Sequence, residues 1–322
     1  MNESEVSPAG SARPQSLTFD QPLPQLASEL LKERRSERRW RVFFRLAWLG
    51  VFIALLWWLM GQRGTPVTPA GAHTALVEVR GEIASDTEAS AEGLVSALRS
   101  AFEDPGAQAV VLRINSPGGS PVQAGIVYDE IKRLKAKHGK KVYAVVEEVC
   151  ASGAYYIAVA ADEIFVDKAS IVGSIGVLMD GFGFTGLMDK LGIERRLLAA
   201  GNNKGMLDPF SPLNAQQQAL AQAMIDQVHQ QFIDVVKAGR GERLVVTPET
   251  FSGLFWNGEE AVKMGLADRL GSLDYVAREV VQAENIVDYT PHDNLAERLA
   301  KRFGASIGQG AVRALQQLAP LR

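Results

Sequence analysis

Two short segments combine small and polar residues in a way that could support acyl chemistry. Residues 115–121 read NSPGGSP and residues 150–156 read CASGAYY. Paired glycines let the backbone approach a ligand closely and point its N–H groups outward, which an oxyanion hole requires. Ser152 stands where an apolar run ends and a helix is expected to begin, a position that favours developing negative charge. Taken alone, the first segment favours a plain tight turn into a capped helix, and the second fits a helix-capping serine as well as a nucleophile.

The histidines of the chain do not supply an obvious base for Ser152. A Ser–His–Asp triad needs a histidine within hydrogen-bond reach of the serine. Each histidine falls in an unsuitable place, in an expected linker, at a helix end, in mid-helix or after a proline: His73, His138, His229 and His292. A neutral lysine can replace histidine as the base. Lys204 lies in the loop-forming segment GNNKGMLDPF, although this local sequence alone favours a solvated surface lysine.

Four motifs in order along the chain resemble a known family. They are residues 115–119 (NSPGG), residues 151–155 (ASGAY), residues 173–177 (GSIGV) and Lys204. Together they resemble the signal peptide peptidase A family of bacterial Ser/Lys peptidases, in its short form with a single catalytic domain. Two later segments, NGEEA at 257–261 and GLADRLG at 265–271, also resemble this family and, more loosely, the Clp-protease and crotonase fold.

The resemblance implies a role for each matched residue. Ser152 would be the nucleophile, Lys204 the general base, and Ser174 the residue that orients the lysine amine. The backbone N–H of Gly119, together with that of Gly118, would form the oxyanion hole. Members of the family assemble as rings in which neighbouring subunits share these dyads, so we expect a homo-oligomer that acts on peptides, in particular on remnants of signal peptides.

The pattern of apolar runs predicts the fold. Strand-like and helical segments alternate after Thr74, which favours an α/β domain with largely parallel sheets, of the Clp-protease/crotonase-like class that the resemblance implies. The expected strands are 75–79, 109–114, 142–149, 163–166 and 195–199. The expected helices are 91–102, 121–137, 153–161 and 215–238.

A single apolar run divides the chain. Residues 42–61 (VFFRLAWLGVFIALLWWLMG) are long enough for one transmembrane helix, and basic residues cluster before it. The positive-inside rule then keeps the N-terminus cytoplasmic and places the catalytic domain outside the cytoplasm, as at a bacterial inner membrane with a periplasmic face. We therefore expect five segments: a disordered, basic-ended tail (1–41), the membrane helix (42–61), a linker (62–73), the peptidase domain (74–290) and an amphipathic helical extension (291–322).

Composition excludes several other classes of function. The formal net charge is −3 and no basic stripe is present, so nucleic-acid binding is not expected. The single cysteine, Cys150, cannot form an intrachain disulfide, and the histidines lack metal-ligand spacing, so neither a metal nor another cofactor is expected.

Three other functions stay open on sequence grounds. A related membrane peptidase could act in quality control on other membrane proteins. An acyl-CoA enzyme of the crotonase fold uses similar paired glycines, although a domain outside the cytoplasm would meet little coenzyme A. An inactive scaffold could build a membrane ring without cleaving anything.

Overall fold

The computed structural model describes residues 40–55 and 71–291. The chain divides into two compact units, one up to Val67 and one from Thr68 onward. In the first unit, residues 40–55 form helix α1, whose residues are all exposed. Within the described residues, no helix has both the length and the apolar character needed to span a membrane. The predicted membrane segment continues outside them at 56–61, as do parts of the predicted tail (1–39), linker (62–70) and C-terminal extension (292–322).

The second unit contains a sheet of eight strands among the described residues. They are β1 (His73–Arg80), β2 (Ala107–Ser116), β3 (Lys141–Ala151), β4 (Glu163–Val166), β5 (Ile171–Gly173), β6 (Phe255–Asn257), β7 (Arg269–Leu270) and β8 (Ile286–Asp288). The order β6-β5-β3-β2-β1-β8 forms the main path, with β4 beside β3 and β7 beside β4. Every pairing is parallel except β5 with β6. The predicted α/β class with a largely parallel sheet is confirmed.

Helices cover both faces of this sheet. They are α2 (Ala91–Glu103), α3 (Pro121–His138), α4 (Gly153–Ala158), α5 (Thr185–Leu191), α6 (Ala215–Arg240), α7 (Gly258–Lys263) and α8 (Leu273–Tyr275), with a 3-10 turn at Gly241–Arg243 and a π-helical turn at Val276–Val281. Alternate residues of β2 enter different clusters: Val110 and Leu112 join the main core, and Val111 joins a smaller core with Val276. Because β2 is buried on both faces, its central residues 109–112 read in the sequence as an unbroken apolar run.

The elements that lead to the site begin with ordinary capping. The Ser120 hydroxyl accepts a hydrogen bond from the Gln123 N–H at 3.4 Å, and Pro121 opens α3, as the sequence predicted. The Asn214 side chain caps α6 in the same way, accepting from two backbone N–H groups. These caps fix where the helices that flank the site begin.

Some predicted elements differ from the structure. Residues 195–199 form no strand, because they lie in an exposed segment that pairs with no strand of the sheet, and Leu198 is 98% exposed. Helix α4 ends at Ala158 rather than residue 161, since the N–H groups of Ala160 and Ala161 bond only three residues back. His73, expected in the linker, is fully buried in β1, and its Nε2 lies 3.0 Å from the Tyr289 hydroxyl.

Residues 177–214, which we call the arm, connect the sheet to α6 outside the main core. The arm has its own small aromatic contact, where Phe184 and Phe210 stack with ring centroids 5.4 Å apart. The Arg195 guanidinium lies over Phe210 and pairs with Asp208 at 2.9 Å. These few contacts leave many apolar side chains of the arm exposed.

Candidate active site

Ser152 lies between the end of β3 and the start of α4 in an uncommon backbone conformation, with φ 54° and ψ −124°. Its N–H donates to the Gly173 carbonyl at 2.8 Å, and its carbonyl accepts from the Tyr156 N–H at 3.0 Å. The serine hydroxyl makes no capping hydrogen bond, so helix capping does not account for this residue. A strained serine on a sharp strand-to-helix turn, with its hydroxyl free, is the arrangement that presents a nucleophile.

The glycine turn packs directly against Ser152. Gly118 has φ +97°, and a Cβ on it would lie 2.7 Å from the Ala151 carbonyl oxygen and 2.8 Å from the Ser152 Cβ. Gly119 has φ +146°, and a Cβ there would lie 2.3 Å from the Ile83 carbonyl oxygen. Both positions therefore exclude any side chain. The paired glycines allow a close approach to the backbone of neighbouring residues, and the predicted approach to a ligand stays a prediction.

The hydrogen bonds of the turn distinguish its two amides. The Gly118 N–H donates to the buried Ser116 hydroxyl at 3.1 Å. Ile83 pairs with the Gly118 carbonyl and the Ser120 N–H, each at 2.8 Å, whereas the Gly119 N–H donates to no group among the described residues. Of the predicted pair, only the Gly119 N–H is therefore open to an acceptor from outside the described residues, because the Gly118 N–H is already engaged.

A second unused donor follows the serine. Gly153 opens α4, so its N–H has no partner inside the helix, and it donates to no other group within residues 71–291. A Cβ on Gly153 would lie 3.3 Å from the Gly119 nitrogen, which shows that the two glycines are adjacent. Sequence reasoning missed Gly153, although the residue after a nucleophile commonly supplies an oxyanion donor.

Strand β5 holds the Ser152 backbone and is itself paired with β6. In this antiparallel pair Val172 lies opposite Trp256. A Cβ on Gly173 would lie 2.8 Å from two ring atoms of Trp256, so the indole packs against the glycine whose carbonyl holds the Ser152 N–H. The next residue, Ser174, has φ 54° and donates its N–H to the Leu254 carbonyl at 2.7 Å.

The predicted residues are only partly brought together in one chain. Ser152, the glycine turn and the strand end that carries Ser174 are neighbours. Ser174 is half-buried, and its hydroxyl makes no hydrogen bond with the described residues. Lys204 is exposed in the arm, and no hydrogen bond or ion pair joins its amine to Ser152, Ser174 or any other described group. The proposed lysine contact therefore stays a prediction.

Other polar residues near Ser152 belong to the core. The thiol of Cys150 is fully buried, and burial raises its pKa well above the ordinary value. The Tyr155 hydroxyl donates to the Leu266 carbonyl at 2.8 Å, and burial raises its pKa as well. Within residues 40–55 and 71–291, no group of His, Cys, Asp and Glu side chains could hold a metal ion.

These observations describe an α/β protein in which a serine on a strained strand-to-helix turn lies beside two backbone N–H groups that have no acceptor among the described residues. Residues 134–287 match peptidase family S49. The chain is 34% identical over 198 residues to a putative protease of Synechocystis, covering 62% of this chain and 69% of that protein. It is 28% identical over 199 residues to a putative signal peptide peptidase SppA of Enterococcus faecium, covering 62% of this chain and 58% of that protein.

One further relative is not named as a peptidase. A protein of Brucella melitensis named Na⁺/H⁺ antiporter NhaA is 50% identical over 176 residues, and the match covers 55% of this chain but 24% of that protein. The chain thus spans about a quarter of that relative's length. On the family match and the Synechocystis relative, the chain belongs to peptidase family S49.

Proposed function

We propose that this chain is a membrane-anchored serine endopeptidase that uses a Ser152/Lys204 dyad to degrade remnant signal peptides in or at the membrane. One observation carries the proposal: the Ser152 hydroxyl is free at a strained turn beside the N–H groups of Gly119 and Gly153, which have no acceptor among the described residues. The similarity to a putative protease and to a putative signal peptide peptidase supports the reaction and the substrate class.

The proposed reaction uses these groups in sequence. Neutral Lys204 takes the proton of Ser152 as the serine oxygen attacks the scissile carbonyl carbon. The N–H groups of Gly119 and Gly153 donate to the oxyanion. Protonated Lys204 then gives its proton to the leaving amine, and an acyl-enzyme forms on Ser152. Water attacks this ester with Lys204 again as base, which releases the second peptide product and restores the free serine.

The base is proposed to come from a neighbouring subunit. The Lys204 amine has no partner among the described residues of its own chain, and the arm around it exposes apolar side chains. Leu178 is 81% exposed, Phe182 78% and Leu213 67%, which is costly unless a second surface covers them. A ring of copies, with the Clp-protease/crotonase-like fold proposed for each subunit, would cover the arm and complete each dyad.

The membrane location follows from the sequence. The apolar run at 42–61 and the basic residues before it support a single-pass anchor with a cytoplasmic N-terminus and a catalytic domain on the periplasmic side of a bacterial inner membrane. An anchored enzyme would meet signal peptide remnants where cleavage leaves them. Reporter fusions at the two termini test this topology, and a cytoplasmic C-terminal reporter would contradict it.

Peptide cleavage by the purified full-length protein tests the reaction. An internally quenched apolar peptide is assayed with wild type, Ser152→Ala, Lys204→Ala and the matched control Lys190→Ala, which removes another exposed lysine of the arm. We expect cleavage by wild type and the control, and loss of about 10³-fold or more in the other two. Full activity in Ser152→Ala would exclude this nucleophile. An assembled wild-type oligomer that cleaves no peptide would favour the scaffold instead.

Mixing two inactive variants tests whether subunits share the dyad. Ser152→Ala and Lys204→Ala proteins are dissociated, mixed and reassembled. If neighbours complete the dyads, mixed oligomers contain some sites with both intact residues, and part of the activity returns. If each chain holds its own dyad, no mixed site is complete and the mixture stays inactive.

A further inference from the structure

The short segment that carries Ser174 is held from two sides. On the β6 side, the Ser174 N–H donates to Leu254, and the ring of Trp256 packs against Gly173. On the α6 side, the Nε2 atom of His229 lies 3.1 Å from the carbonyl oxygen of Ile175. A carbonyl can only accept, so Nε2 carries the proton and donates, whichever charge state the ring has.

This hydrogen bond is the only one that a side chain makes to the backbone of residues 174–176 within the part of the chain that the structure describes. The Ile175 side chain is fully buried, while Ser174 has a positive φ and Gly176 is a glycine. A segment with this backbone has little rigidity of its own. A hydrogen-bond donor on helix α6 can therefore fix the orientation of the carbonyl groups of residues 174–176.

Helix α6, which carries His229, is anchored in the main core. Phe232, one turn further along α6, is buried in the main core and lies 5.2 Å from the ring of Tyr156, measured between centroids. Tyr156 belongs to α4, the helix that starts directly after Ser152. The same helix thus contacts the nucleophile's helix through one residue and the strand end with Ser174 through another.

We propose that His229 is a positioning residue of the active site, which fixes the Ile175 carbonyl and thereby the Ser174 hydroxyl that orients the base. The inference rests on the proposed peptidase function. His229 acts on the placement of the dyad and touches neither the substrate nor the reacting atoms. Its side chain length matters because the donor must reach across from α6 to the strand end.

Three full-length variants test this role. His229→Gln keeps a donor near the original Nε2 position, whereas His229→Asn withdraws the donor by one methylene. Gln230→Asn is the matched control, because it makes the same shortening at the next position, where the side chain donates, among the described residues, only to Asp234 on its own helix. The measurements are kcat and KM for the quenched peptide, normalised to active sites titrated with a fluorophosphonate, and amide hydrogen exchange of residues 174–176.

The expected pattern separates positioning from general support. His229→Asn should lower kcat per titrated site by about 10²-fold with KM little changed, as a small misplacement of a catalytic group does, and His229→Gln should recover most of the loss. Amide exchange at 174–176 should accelerate in His229→Asn only. A kcat per titrated site equal to wild type in His229→Asn would overturn the proposal.

The exchange measurement stands independently of activity. If wild type cleaves no peptide, the proposed function fails. The positioning of residues 174–176 by His229 is then judged by exchange alone, and equal rates at 174–176 in His229→Asn and Gln230→Asn would refute it. Faster exchange limited to His229→Asn would support this positioning as a feature of the fold in the absence of peptidase activity.

Discussion

Substituting Gly173 by alanine should damage both stability and the nucleophile. Gly173 has φ +117°, and a Cβ there would lie 2.8 Å from two ring atoms of Trp256 and 3.1 Å from the Leu254 carbonyl oxygen. Left-handed backbone in a non-glycine residue costs about 1–2 kcal/mol, and overpacking costs about 1–3 kcal/mol. We therefore expect Gly173→Ala to lower the free energy of unfolding by about 3 kcal/mol.

The same substitution should reach Ser152, because the Gly173 carbonyl accepts its N–H at 2.8 Å. Relieving the clash requires β5 to move away from β6, which displaces this carbonyl. The assays are urea unfolding and the second-order rate of fluorophosphonate labelling of Ser152, which we expect to fall by about 10²-fold. Combining Gly173→Ala with Trp256→Leu removes the clash but not the backbone strain, so the two changes should show a coupling of about 1–2 kcal/mol.

A glycine in open space provides the control. Nothing lies within 4 Å of a Cβ built on Gly125, inside α3, so Gly125→Ala should raise the free energy of unfolding by about 0.5–1 kcal/mol. A Gly173→Ala protein that unfolds and labels like wild type would refute the predicted clash. Additive effects of Trp256→Leu and Gly173→Ala would also refute it, since the indole would then not be what confines the glycine.

Three further predictions concern the framework of the site. Ser116→Ala frees the Gly118 N–H and should cost about 1 kcal/mol in urea unfolding, with kcat reduced; unchanged stability would contradict a structural role for this hydrogen bond. Arg240 is 1% exposed and binds Asp268 through two nitrogens, so Arg240→Met should cost about 3 kcal/mol in the same assay, and a neutral result would show that the pair is dispensable. Hydrogen bonds from Arg133 and then Arg99, opposed by burial, lower the pKa of Glu130 to about 2 from 4.5. The ionised Glu130 carboxylate therefore contributes fully to the free energy of unfolding at pH values above its pKa in the unfolded chain, and this contribution is lost as the pH falls towards 2. Glu130→Gln should lessen that loss of unfolding free energy between about pH 5 and about pH 2. If the free energy of unfolding falls with decreasing pH as steeply in Glu130→Gln as in wild type, the pairing of Glu130 with the two arginines would be contradicted.

The sequence alone predicts the central strands well. Residues 109–112 (AVVL) are apolar without alternation because β2 is buried on both faces, and a short apolar run of this kind favours a central parallel strand. The segment 195–199 (RRLLA) was also predicted to be a strand, but it has no neighbouring strand to pair with. A short segment therefore forms a strand only when the fold supplies a partner, and the sequence does not show whether it does.

The position of the candidate nucleophile was predictable, but its conformation was not. A capping serine and a nucleophilic serine look the same in sequence, and only the backbone angles and the free hydroxyl of Ser152 distinguish them. The engaged Gly118 N–H and the open Gly119 N–H also depend on contacts with residues distant in the chain, among them Ile83. Such pairings leave no local signal.

The histidines show the same limit. That His229 is not the base of a triad stays a prediction, and its hydrogen bond to Ile175 joins residues far apart in sequence and has no motif. His73 was expected in a linker because it follows residues such as Pro69 and Gly71, whereas the half-buried Tyr289 near the other end of the domain provides its partner. Local composition could not predict that contact.

The central claim is that Ser152 is the acylated residue. The most direct test treats the full-length protein with a fluorophosphonate, digests it and locates the adduct by mass spectrometry, with Ser152→Ala and the neighbouring hydroxyl variant Ser174→Ala in parallel. We predict an adduct on Ser152 in wild type, slower labelling of the same residue in Ser174→Ala and none in Ser152→Ala. An adduct on another residue, or undiminished labelling of Ser152→Ala, would contradict the claim.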